Sequence, residues 1–163
     1  MPVSEANANQ ILDNVVTTLQ GINDQVGENY FYPPKLVVRA PGISPKWFEN
    51  PEWKVAYFVV APEERSTEQT AGRIQSRLET FIVGAVHGDW SVEPWQQKKI
   101  TREQTQQRLA RDIKRAIYMD FRRGTYATNS ELTDTKFSFS AYPRFAIVST
   151  RWEFHYTWLR ETP

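Results

Sequence analysis

The chain has 163 residues, enough for one domain that buries roughly 70% of the surface its unfolded chain exposes. Its 20 Lys and Arg against 19 Asp and Glu leave a net charge of +1. That balance argues against a dedicated nucleic-acid binder, whose affinity comes largely from a basic excess over phosphate. The absence of cysteine excludes disulfides, thiolate chemistry and cysteine-held zinc.

The opening "MPVSEANANQ" shows no basic segment followed by an apolar one, so synthesis in the cytoplasm without a signal peptide is expected. Apolar residues then recur at Ala8, Ile11, Leu12, Val15, Leu19, Ile22 and Val26, the spacing of one helical stripe. Ser4 is the expected N-cap and Gly27 the expected stop. Five prolines between residues 33 and 51 leave room for one short strand, Lys35 to Arg39. A stronger strand, Trp53 to Val60, is apolar on both faces, which suits a central position or cover on each side. Pro62 is expected to end it.

The stretch "APEERSTEQTAGR" is polar and mixed in charge, and is expected to form a long hairpin loop over about 61–76. A second strand follows from about Arg77 to His87. Its run Phe81 to Val86, the longest apolar one, is far too short to span a bilayer. After a loop holding Trp90 and Trp95, Thr101 and Gln104 have the spacing of a capping box. The helix they open carries Leu109, Ala110, Ile113, Ala116, Ile117 and Phe121 on its apolar side. Arg102, Arg108, Arg111, Lys114 and Arg115 belong to its wet side, and Gly124 ends it. Two last strands are expected at about Thr135 to Ala141 and Phe145 to Arg160. The order of helix, strands, helix, strands predicts a single α+β domain: an antiparallel β-sheet packed on one face by two α-helices.

No catalytic constellation emerges. His155 shares a strand face with Glu153, an arrangement open to acid–base work but foremost that of ordinary solvent-side residues of an alternating strand. His87, Asp89 and His155 lack any metal-binding spacing, and no glycine-rich phosphate loop occurs. No cofactor or metal is therefore expected. Trp152, Phe154, Tyr156 and Trp158 alternate on one face of the last strand. Leaving four such side chains wet would forgo about 6 to 12 kcal/mol, comparable with the stability of a whole domain. They belong under the helices, with Arg151, Glu153 and His155 on the other side.

Taken in order, several pieces carry a resemblance. They are "ANQILDNVVTTLQGI", "PPKLVVRAPG", the paired strands "WKVAYFVVAPEE" and "LETFIVGAVHG", the helix "QTQQRLARDIKRAIYMDFRRG", and the closing "RFAIVSTRWEFHYTW". Their layout resembles the tail terminator (tail completion) proteins of long-tailed bacteriophages, over nearly the whole chain. The helix, with Asp112 midway and Asp120 before Arg-Arg-Gly, looks like that family's leucine, Asp-isoleucine, alanine, Asp helix.

The resemblance implies a structural virion protein of the neck, made in the host cytoplasm, without enzymatic activity or cofactor. It implies a homo-hexameric ring that caps the tail tube, ends its polymerisation and offers a docking surface to the head connector. The partners implied are the tail tube protein, the tail sheath where there is one, and neck proteins. DNA would pass through the ring without sequence-specific binding, and no membrane is involved. Ring or partner contacts are expected on the polar hairpin, at Glu63, Glu64, Arg65, Glu68 and Arg73, although these charges are equally at home in solvent. Further candidates are Arg122 and Arg123 at the helix end, which also suit the helix dipole there. The proline- and tryptophan-bearing loops add Trp47, Phe48, Trp53, Trp90 and Trp95, since aromatics in irregular loops are enriched at interfaces. The alternatives are another head–tail connector or head-completion protein, a small hydrolase built on Glu153 and His155, or a nucleic-acid-binding module.

Overall fold

A computed structural model describes residues 3–22, 30–49, 51–68, 73–87, 100–120, 122–124, 127–137 and 142–159. Its elements are α1 (Val3–Gln20), β1 (Leu36–Ala40), a 3-10 turn (Pro45–Phe48), β2 (Val55–Glu68), β3 (Arg73–His87), α2 (Arg102–Tyr118), β4 (Asn129–Lys136) and β5 (Phe145–Leu159). The strands form one five-stranded sheet in the order β1-β2-β3-β5-β4. The fold is α+β, as the order of elements predicts.

The sheet is mixed rather than wholly antiparallel. β1 runs parallel to β2 from Leu36↔Ala56 to Ala40↔Val60, while every other pairing is antiparallel. Parallel neighbours need a crossover of about a dozen residues or more. Here the crossover is the proline- and tryptophan-rich segment between Pro41 and Lys54.

α1 turns Ile11, Val15 and Leu19 onto the sheet, and Ile22 follows just past its end, all almost wholly buried. α2 opens with the expected capping box: Gln104 N–H donates to Thr101 Oγ1 at 3.1 Å, and Thr101 N–H to Gln104 Oε1 at 2.9 Å. Leu109, Ile113 and Ile117 face inward from it. Between helices and sheet lie Tyr57, Val59, Ile82, Val148, Trp152, Phe154 and Tyr156. Trp152 keeps its polar atom satisfied in this core. Its Nε1–H donates to Thr150 Oγ1 at 2.9 Å, and that hydroxyl donates to Ile82 O at 2.9 Å. Gly84 suits a close approach, because a Cβ there would stand 3.1 Å from the Tyr57 ring and 3.3 Å from Ile113 Cδ1, and those side chains would have to give way.

A second, smaller core lies on the opposite face. The crossover brings Phe48 and Trp53 against Ala56, Phe58, Val83, Ala85, Phe145 and Ile147. Trp47 stacks on Phe58, with ring centres 4.3 Å apart and planes 3° off parallel. Phe48 meets Phe145 edge-on at 5.3 Å. This cover explains why β2 is apolar on both faces from Val55 to Val60.

The largest departure from the sequence reading lies at residues 61–76. β2 continues to Glu68 and β3 begins at Arg73, with pairing down to Glu68↔Ile74. The loop expected there is a β-ladder. Proline in a strand is compatible with a bulge, and the register shifts between Val60 and Glu63, around Pro62. β4 also begins earlier than the alternation suggests, at Asn129 rather than Thr135.

Candidate functional site

Half of the second sheet face is not covered by the aromatic crossover, and its chemistry is polar. The pairings give it a regular arrangement. Glu63 is the register partner of Glu79, Glu79 of Glu153, and Glu153 of Glu131, so four glutamates stand in one row across β2, β3, β5 and β4. One row further along β5, Arg65, Arg77, His155 and Asn129 are aligned in the same way. On the other side stand Phe81, Arg151 and Asp134. Two bulges, one between Val60 and Glu63 and one between Leu132 and Asp134, set the outer strands in this register.

Like charges directly opposite one another across a ladder are destabilising. The described side chains offset this in part. Arg151 Nη2 lies 3.0 Å from Glu79 Oε2. His155 Nε2 lies 3.3 Å from Glu131 Oε2 and 3.7 Å from Glu153 Oε2. Thr128 anchors this end of β4 by donating its N–H and its hydroxyl to His155 O, at 2.7 and 3.0 Å.

The outer edge of β2 differs along its length. β1 covers it only as far as Ala40↔Val60. From Glu63 to Glu68 the backbone pairs with β3 on one side and, among the described residues, with no strand on the other. An uncovered edge is a template for pairing with another chain, and charged residues are the usual guard against indiscriminate pairing.

The helix side carries a different polar feature. Asp112, midway along α2, is wholly buried. Its carboxylate accepts from Phe31 N–H at 3.0 and 3.1 Å and from Tyr32 N–H at 2.8 Å, which fixes the segment entering β1. Tyr57 Oη–H donates to Tyr32 O at 3.0 Å. Burial pushes the Asp112 carboxyl up to about 7, against the pull of the two N–H donors and of Arg111 and Arg108. Arg108 and Arg111 lie over the Phe31 ring at 4.7 and 5.3 Å, and Arg115 over Tyr30 at 5.9 Å. Much of the basic side of α2 thus holds the chain segment beside it. Arg111, Lys114 and Arg115, with Gln107, Tyr118 and Phe137, line a shallow hollow of about 430 Å³.

The sequence-nominated residues divide as follows. Glu63, Glu64, Arg65 and Glu68 lie on the uncovered length of β2, and Arg73 begins β3 opposite Leu159. Arg122 is exposed. Arg123 is not a surface residue. It takes a positive φ of 48° and is fully buried. Its guanidinium donates to Thr18 Oγ1 at 3.1 Å, to Ile117 O at 2.5 Å and to Asp120 O. It closes the C-terminal carbonyls of α2 and fastens that helix to α1, and burial lowers its pKa despite nearby Asp120. Phe48 and Trp53 are buried within the second core and Trp47 is half-buried on it, so the aromatics of the crossover find their cover inside the chain. Trp90, Trp95 and Asp89 lie outside the described residues. His87 packs beside Phe145, ten residues along β5 from His155 and so roughly 33 Å away, which removes any shared site between the two histidines.

Two features escape a reading of the sequence. Asp112 finds its partners some eighty residues away, and Glu131 meets His155 only through the β4–β5 pairing. No protein-family model and no curated protein matches this chain. Among the described residues no helix is long and apolar enough to cross a membrane.

Proposed function

We propose that the chain is a structural protein of a bacteriophage neck, assembling as a ring that caps the tail tube, ends its growth and receives the head connector. Layout supports this reading: the α+β order, the α2 motif around Asp112 and Asp120, and the closing aromatic strand are those on which the resemblance rests. The observation that carries it is the outer edge of β2 from Glu63 to Glu68, which no strand covers among the described residues. A closed ring uses head-to-tail interfaces in which each subunit offers two different patches. A charged strand edge is well suited to be one of them, because backbone pairing contributes attraction while side-chain charge fixes register. The α2 hollow with Arg111 and Lys114, in the opposite layer, is the candidate for the second, cationic patch.

Sedimentation equilibrium of the purified chain tests this. Six copies of the 19.0 kDa chain are expected in the closed species. Arg65→Glu, which reverses one charge on the edge, is expected to shift the equilibrium towards monomer by at least about tenfold while leaving the circular dichroism unchanged. A monomer at every concentration, for both proteins, would remove the reading.

A further inference from the structure

We propose that Glu131, Glu153 and His155 bind a divalent transition-metal ion of the zinc type, a site independent of the ring reading. The three ligand atoms, one from each residue, lie within 4.8 Å of one another. Two separations are already 3.3 and 3.7 Å. Bonds of about 2.1 Å in a tetrahedral site place ligand atoms about 3.4 Å apart. Glu131, more than half exposed on the edge strand, is free to change rotamer and close the third side.

The imidazole separates this site from a simple acidic patch. His155 Nε2 is shielded from solvent and, among the described residues, makes no hydrogen bond, although it faces both carboxylates. The nitrogen thus points into the space that the two carboxylates share. The row explains why a cation is wanted there. Arg151 takes Glu79, which leaves Glu153 and Glu131 facing each other across the ladder. A dication between them turns a repulsive pair into two ligands. One imidazole nitrogen with two carboxylate oxygens favours zinc over magnesium or calcium, which take all-oxygen shells. The fourth position opens onto the polar half of the sheet, where water completes the shell. Bound metal would also join edge strand β4 to β5 beyond their backbone ladder.

The test is calorimetric titration of the full chain, freed of metal by chelation, with zinc chloride. One ion per chain is expected, with millimolar magnesium unable to compete. His155→Ala and Glu131→Gln should each weaken binding at least about tenfold, the lower end of what altering even a supporting residue does. His87→Ala, at the far end of the sheet, should leave it unchanged. Should His155→Ala fail to fold, the exposed Glu131→Gln variant decides alone. No saturable zinc binding overturns the proposal, and so does binding that survives both substitutions or is displaced by magnesium. The trio would then be a histidine paired with two glutamates and nothing more.

Discussion

Along β5 the even-numbered residues Trp152, Phe154 and Tyr156 lie buried beneath two helices, while the odd-numbered Arg151, Glu153 and His155 stand half-buried on the other side. The same strand thus serves two surfaces of opposite character. On the helix side, burial of large apolar groups dominates, and the buried polar groups of Trp152, Thr150 and Asp112 have specific partners. On the other side the aromatic crossover covers only the end of the sheet near Phe145 and Ile147. The rest is organised by charge: glutamates face one another along one row, while Arg151 and His155 reach across to glutamates of the neighbouring row. The two surfaces therefore differ in what organises them. Among the described residues the larger core lies on the helix face, and substitutions on the polar half of the second face are expected to perturb stability less.

Substitution on the helix face should have the largest effect. Trp152→Ala removes a fully buried ring that touches Tyr118 and Phe154, and is expected to cost about 3 to 5 kcal/mol in urea unfolding. A cost below about 1 kcal/mol would mean that the helices do not form the principal core.

Asp112→Asn comes next. It keeps the shape but replaces one of the two accepting oxygens with an NH2 group that meets the Phe31 or Tyr32 N–H donor, for about 1 to 3 kcal/mol. The same variant has a signature in pH. Folding raises the Asp112 carboxyl from its ordinary value to about 7, so the native state holds the proton more tightly. Its contribution to stability is therefore complete below about pH 4 and is lost as pH rises to about 7. That part of the decline should vanish in Asp112→Asn, as read from unfolding midpoints between pH 4 and 8.

Much of the first region is legible in the sequence. The Thr101–Gln104 box, the stripe from Leu109 to Ile117 and the alternation of β5 are local patterns, and burial follows their periodicity. The second region is not. Pro62 has the form of a strand end, and only the bulge beside it lets β2 continue to Glu68. β4, "NSELTDTK", has a single large apolar residue, Leu132, and so lacks the alternation that marks a half-buried strand. The row of glutamates is a property of pairing among four strands, which no window along the chain contains. The same applies to Arg123, whose place between α1 and α2 depends on a positive φ just past the helix end.

Smaller effects should sharpen the contrast. Trp47→Ala, half-buried on the second core, is expected to cost roughly 1 to 2 kcal/mol, well below Trp152→Ala, because part of the side chain is already exposed. Glu153→Gln should fall within about ±0.5 kcal/mol in stability, since the lost pairing with His155 is offset by relief of repulsion from Glu131. A large loss there would make the charged half a structural element after all.

The proposed capping role is tested by tail-tube growth in the presence of this chain, followed by electron microscopy. If the proposal holds, tubes grown from a cognate tail-tube protein should stop lengthening and carry one ring at a single end, and Arg65→Glu should abolish both effects while remaining folded. Tubes that lengthen unaltered, with no density of this protein at their ends, would contradict it.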